Sequence, residues 1–307
     1  LKKNFRSFHS KILLFGEYSV MKGSMALALP YPMFEGRLGF PGQTSGQKPQ
    51  VDQELKGLVQ YLKSLEKKNQ LCQKINVDAL EFDIGQGLLF NSNIPQGFGM
   101  GSSGALTAAV VDAYSSHELN LQDLEQVRSL LAMVESYYHG SSSGFDPLVS
   151  LLGKPVLKRE GEYVADINIP RYDEGPGALF LINTGRARRT EPLVNLFLEK
   201  CKDSSFEDLC RHDLRAITNQ CINVFLEGRG SDLYENFGRL SAFQLRHFSP
   251  MIPKLYLDLW HQGLETSDYA LKLCGAGGGG FLIGLARNFT RARELLANQE
   301  IRPLYLF

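Results

Sequence analysis

Charge of neither sign is in surplus over this 307-residue sequence: Lys plus Arg and Asp plus Glu are both 33, for a formal net charge of zero. With no long Lys/Arg block either, the chain lacks the basic stripe that marks nucleic-acid or anionic-membrane binders, so neither is expected as a partner. No apolar run approaches the roughly 20 residues of a membrane span. The start, LKKNFRSFHSKILLFG, has no uninterrupted apolar leader core and no initiator Met, which suggests a trimmed start of a cytoplasmic protein. The five cysteines (Cys72, Cys201, Cys210, Cys221, Cys274) form no C-x-x-C pair, and their odd number suits reduced thiols better than a disulfide framework. Cys210 and His212, near Cys201 and Cys221, are of metal-ligating type, but their surroundings read as helix, where buried free cysteine is ordinary. Repeats of solenoid length and low-complexity tracts are also missing.

What is present is globular: 43% hydrophobic and 21% charged residues, long enough for one large domain or two ordinary ones. KILLF (11–15) reads as a strand, followed by a second apolar stretch, MALALPY. After a Gly/Pro/Gln/Ser-rich loop at 41–50, VDQELKGLVQYLKSLEKK has helical periodicity, and 80–90 alternates like a strand or hairpin. Two more helices are expected, one after Ser103 and one ending at Gly140, then the polar turn SSSGFD and a hairpin centred on Glu160–Gly161. YDEGPG (172–177) is the candidate linker, dividing the chain into domains 1–175 and 176–307. Beyond it come a strand, ALFLINTG, three or four amphipathic helices between Thr190 and Ser267, two strands around GAGGGG, a helix and the strand RPLYLF. This is an α+β pattern in two mixed domains.

Two glycine-rich stretches carry the chemistry. NIPQGFGMGSSGALTAA (93–109) sits at a strand-to-helix junction, where free N–H groups and the helix dipole favour an anion, yet it lacks the lysine of a Walker-type loop. By itself it reads equally as a phosphate cradle or as a turn with a serine cap. KLCGAGGGG (272–280) places four consecutive glycines between apolar strands, at a cost of roughly 0.5–1 kcal/mol each. A turn needs one or two, so the run points to close packing of backbone against backbone or ligand.

KILLFGEYSVMKG, IPQGFGMGSSGAL and KLCGAGGGG resemble, in order and spacing, the three motifs of the GHMP kinases (galactokinase, homoserine kinase, mevalonate kinase, phosphomevalonate kinase), over nearly the whole chain. LLFGEYSV, HGSSSGFD and INTGRARRT look most like the mevalonate kinase branch. The resemblance implies a two-domain α+β fold: an N-terminal ribosomal-protein-like α/β domain, a C-terminal ferredoxin-like domain, and a cleft between them for ATP and substrate. It implies ATP-dependent phosphorylation of a hydroxyl, that of mevalonate, on the route to isoprenoid precursors, and it allows a homodimer. The positive charge absent from the phosphate loop is then supplied by Mg²⁺ and Lys11.

By the same resemblance Gly97, Gly99, Gly101, Ser102, Ser103 and Gly104 cradle the triphosphate, with Ser92 near the adenine. The Ser103 hydroxyl and Glu135, eleven residues before Asp146, hold Mg²⁺; from the residues alone Glu135 would be a solvated side chain. Asp146 becomes the catalytic aspartate, as base or as positioning group, where unaided it reads as an Asx turn or helix cap. Lys11 stabilises charge on the transferring phosphoryl group. Glu17, Tyr18, Ser143, Thr190 and Gly277 fall at acceptor-binding positions. Arg188 and Arg189 either meet a carboxylate there or form an exposed basic loop. His139, at i+4 from Glu135, is expected to pair with it as a structural residue.

Two departures bear on the acceptor. Tyr18 stands where the branch commonly has histidine, and Pro147 where it has asparagine after the aspartate. The competing readings are the same chemistry on phosphomevalonate, homoserine or a sugar, and a non-catalytic ligand sensor of the same fold. A decarboxylase of the same fold is disfavoured by the first motif and the third glycine loop.

Overall fold

A computed structural model describes residues 4–40, 52–70, 75–159, 162–165, 167–170 and 174–307. The loop at 41–50, Cys72, the hairpin tip Glu160–Gly161 and the Tyr172–Asp173 part of the candidate linker lie outside the described residues.

β1 (Phe8–Phe15) carries the KILLF run and pairs antiparallel with β2 (Ala26–Gly39). MALALPY is only the start of β2. The ladder passes from Ser10–Tyr31 to His9–Glu35, so Pro32 falls in an irregularity where no ladder N–H is needed. α1 (Gln53–Lys67) begins at Asp52, whose carboxylate accepts from the Glu54 and Leu55 N–H groups. The segment 80–90, expected as strand or hairpin, is instead the end of α2 (Val77–Gly85) and the first half of β3 (Leu89–Ser92). Asn76 caps α2 by accepting from the Ala79 N–H, and Val77, Leu80 and Ile84 recur at helical spacing into the core.

Next come α3 (Ser102–Tyr114), α4 (Leu124–His139), α5 (Phe145–Leu152), β4 (Val156–Arg159) and β5 (Glu162–Val164). β2 organises this sheet. Along its other edge it pairs with β4 at Ala26–Ala28 and with β3 at Gly36–Gly39. α3 packs on β1 and β2 and is covered in turn by α4 and α5, which is why it is apolar nearly all round.

The second sheet starts at β6 (Ala178–Asn183). α6 (Glu191–Lys200), α7 (Ser204–Leu209), α8 (Arg215–Leu226), α9 (Gly230–His247) and α10 (Leu257–Thr266) follow, then β7 (Tyr269–Leu273), β8 (Phe281–Ala286), α11 (Phe289–Leu295) and β9 (Glu300–Leu306). α7 runs into α8 through a π-helical stretch, Cys210–Leu214, so the helices between Thr190 and Ser267 form four continuous rods, with Cys210 and Cys221 buried inside them. All strand pairs are antiparallel in the order β7-β8-β6-β9, which makes β-α-β-β-α-β ferredoxin-like topology.

The core is continuous between the two sheets. Phe15 of β1 stands 6.2 Å from Phe225 of α8 and 6.2 Å from Phe237 of α9, edge-on to both. Trp260, the single tryptophan of the sequence, is fully buried on α10, its Nε1–H donating to the Ser241 carbonyl at 3.2 Å. Among the described residues no helix is long and apolar enough to cross a membrane.

Candidate active site

The first glycine loop leaves β3 at Ser92, whose hydroxyl donates to the Glu35 carbonyl (3.4 Å) and accepts from the Ile94 N–H (3.0 Å). Ser92 thus fastens the start of the loop. Its far end is held by β1, where the Lys11 N–H donates to the Met100 carbonyl at 2.9 Å. The Lys11 side chain runs past Gly101, where a Cβ would stand 2.8 Å from Lys11 Cγ. It ends with Nζ 2.8 Å from Asp146 Oδ2, the lysine being almost fully buried and the aspartate half-buried.

Asp146 lies in the first turn of α5, and Gly104 decides how close that turn can come to α3. A Cβ on Gly104 would lie 3.0 Å from the Pro147 nitrogen and 3.1 Å from the Asp146 carbonyl carbon. The preceding turn is fixed by its own polar groups. Arg128 Nη1 donates to the Ser143 carbonyl at 2.6 Å, the Ser143 hydroxyl accepts from the Phe145 N–H at 3.3 Å, and Ser142 accepts from the Gly144 N–H at 2.9 Å.

Ser103, in the first turn of α3, donates to Glu135 Oε1 at 3.3 Å, while the Ser142 hydroxyl donates to the other carboxylate oxygen. His139 Nε2 is 3.0 Å from the Ser103 hydroxyl oxygen. With the serine proton given to Glu135, the imidazole is the donor to serine. His139 therefore reaches Ser103 rather than pairing with Glu135 directly, because one helical turn carries its ring past the carboxylate toward α3. Glu135 is 4% exposed, and its pKa is raised to about 7. Burial is the main cause and the Asp146 charge the second; the hydrogen bonds and Lys11 oppose them.

A second group of side chains gathers at the other glycine loop. Glu17 is buried and ion-paired with Lys272 Nζ at 2.5 Å. Burial pushes the Glu17 pKa up against the pull of Lys272. Tyr18 has a positive φ of 59° and packs 4.8 Å from Phe197 and 5.2 Å from Phe248. Its hydroxyl donates to the Ala276 carbonyl at 2.6 Å, and burial raises its pKa well above the usual phenol range. At Gly277 a Cβ would stand 2.4 Å from the Met251 carbonyl oxygen, so the loop is pressed onto the chain after α9.

Arg188 joins the two groups. Its N–H donates to the Gly97 carbonyl (2.8 Å), Nη1 donates to the Thr190 hydroxyl (3.2 Å) and Nη2 to the Cys274 carbonyl (3.3 Å). The guanidinium lies between Gly99 and Gly275, where a Cβ would come within 2.4 and 2.6 Å of Nη2, respectively. Burial lowers its pKa, and its Nε is buried without a hydrogen-bond partner. Arg189 is exposed.

The structure thus brings Lys11, Asp146, Gly101, Ser103, Gly104 and Glu135 into one cluster at the start of α3. Glu17, Tyr18, Thr190 and Gly277 gather at the second loop, with Arg188 between, while Ser92 and Ser143 serve the backbone around them. Lys272 is the residue sequence reasoning missed. The signal was there: a lysine inside the apolar run ALKLC, with a glutamate equally out of place after LLFG.

Residues 59–154 match the sequence model of the GHMP kinases N terminal domain. Over that stretch the chain is similar to the GHMP kinases. It is also similar to mevalonate kinase of Archaeoglobus fulgidus, 26% identical over 289 residues that cover 90% of this chain and 89% of the relative. The solved structure of L. major mevalonate kinase in complex with R-mevalonate has a TM-score of 0.63 at 20% identity, covering 99% of this chain and 97% of that one. Streptococcus pneumoniae phosphomevalonate kinase in complex with phosphomevalonate and AMPPNP has a TM-score of 0.64 at 17% identity over 99% of both chains.

Proposed function

We propose that the protein transfers the γ-phosphoryl group of ATP to the hydroxyl of mevalonate, giving 5-phosphomevalonate and ADP. The observation that carries the reading is the 2.8 Å contact of Lys11 Nζ with Asp146 Oδ2, beside a helix start whose Ser103 hydroxyl meets the buried Glu135. The loop N–H groups and the positive end of α3 favour the phosphates. Asp146 orients the acceptor hydroxyl and takes its proton. The acceptor oxygen then bonds to the γ-phosphorus as the bond to the β–γ bridging oxygen breaks, and Lys11 balances the charge on the transferring group.

A hydroxyl and a carboxylate are hard oxygen donors that suit Mg²⁺, and its site would be built from Ser103 and Glu135 together with substrate phosphates. Bound there, the ion neutralises phosphate charge. Mevalonate as acceptor is supported by the relatives' activity and by Arg188, whose unpartnered buried Nε suits a carboxylate. The division at residue 175 is supported by the two sheets, no strand of which crosses it.

The test is ADP release with Mg²⁺ and ATP over mevalonate, phosphomevalonate, homoserine and galactose. Turnover on mevalonate is expected. Turnover on another acceptor alone would keep the mechanism and replace the substrate, while silence with an ATP analogue still bound would favour the sensor.

A further inference from the structure

The geometry assigns Lys272 a positioning role: through Glu17 it sets the second glycine loop under Arg188 and so fixes the acceptor end of the cleft. The inference rests on the reading that Arg188 faces the acceptor. Lys272 sits on β7 with its side chain fully out of solvent, and Glu17 is 2% exposed beside it. Its Nζ donates to Glu17 Oε1 at 2.5 Å and to the Leu273 carbonyl at 2.6 Å, and it lies 5.6 Å over the Phe15 ring. The Gly275 backbone also favours the charged form of Glu17 against its burial. Gly275 is one of the two glycines that bracket the Arg188 guanidinium, and the neighbouring Cys274 carbonyl accepts from it at 3.3 Å. Tyr18 seals the next peptide through the Ala276 carbonyl.

The path therefore runs from Lys272 and its partner Glu17, through the Leu273 carbonyl and the adjoining Cys274 carbonyl, to Arg188 and Thr190. Glu17 has little to offer a substrate directly, because it is buried and its Oε1 already holds the Lys272 ammonium. Lys272 supplies the charge without which a carboxylate could not be kept there. The path meets the first glycine loop only where Arg188 touches Gly97 and Gly99, away from Ser103, Glu135 and Gly101, so its loss should be felt more on the acceptor side than on the nucleotide side.

The experiment is steady-state kinetics of Lys272→Met and of the double variant E17Q/K272M against wild type, on the acceptor that wild type turns over, with titration of AMPPNP alongside. Wild-type turnover on mevalonate is read first, so failure of the substrate assignment is seen separately. Lys272→Met is expected to raise the acceptor KM by about tenfold or more while nucleotide affinity stays within about threefold. Adding Glu17→Gln removes the stranded charge and should recover part of that loss. An unchanged acceptor KM, an equal loss for acceptor and nucleotide, or strictly additive effects of the two substitutions would overturn the role. If Lys272→Met does not fold, the double variant carries the test. It should fold with a raised acceptor KM and retained nucleotide affinity; an unfolded double variant, or equal loss on both sides, shows a purely structural pair and overturns the inference.

Discussion

Asp146 and Glu135 are both carboxylates on neighbouring helices, but their surroundings give them different work. Asp146 is half-buried against Lys11, whereas Glu135 is closed off by Ser103 and Ser142. Asp146→Asn keeps the shape and removes the proton acceptor, so kcat should fall by about 10²–10⁴-fold, with AMPPNP binding close to wild type. Near-normal turnover would take Asp146 out of the proton step.

Glu135 has a raised folded-state pKa, about 7 against 4.5. Its contribution to stability is therefore complete below about pH 4.5 and is lost as pH rises through about 7. In metal-free protein, Glu135→Gln should gain in Tm on wild type over that rise, and it should also need more Mg²⁺ for turnover. A Tm difference that stays flat with pH would show that Glu135 does not titrate there. From residues alone neither carboxylate stands out: one reads as a turn residue, the other as a solvated helix side chain. Their meeting with Lys11 and Ser103 is long-range, which local sequence patterns do not encode.

At the scale of elements, the spacing of α3 and α5 is the quantity that matters, and Gly104 sets it. Gly104→Ala favours the helix locally by about 1 kcal/mol, but its methyl must push back the Asp146–Pro147 backbone. The expected result is a kcat lowered by about tenfold or more with Tm shifted by only a few degrees, read by turnover and thermal melting on the same samples. Unchanged kcat would mean that α5 yields without moving Asp146. The elements themselves were legible where periodicity was long, as in α1 and α4, and at both glycine loops, the first flanked by strand and helix and the second by two strands. α2 was not, because its cap at Asn76 lies outside the alternating window 80–90 that suggested a strand. The full reach of β2 was also hidden: the apolar stretch MALALPY covers only its start, and pairing with β1 shows the ladder stepping around Pro32.

At the scale of the whole molecule, the two sheets are tied by polar contacts as well as by Phe15. The Met25 N–H donates to Asn219 Oδ1 at 2.8 Å, and Lys22 forms an ion pair with Glu207 of α7 at 2.5 Å. Lys22, with Arg211, holds the Glu207 pKa down to about 2. A depressed value means that this tie stabilises the fold above about pH 4.5 and lets go as pH falls through about 2. The stability advantage of wild type over Glu207→Gln should narrow across that window in acid unfolding followed by far-UV circular dichroism; a constant gap would remove the ion pair from acid stability. The order of the three motifs was visible in the sequence, but not that Tyr18 and Ala276, 258 positions apart, meet through one hydrogen bond.

Trp260 gives the molecule a built-in spectroscopic asymmetry. As the single tryptophan, buried on α10 behind the second sheet, it makes intrinsic fluorescence a gauge of that sheet's packing alone, while backbone dichroism sums over both. Coincident melting curves from the two signals would show the sheets coming apart in one step, and a fluorescence change that lags would show the first sheet opening while the second stays closed.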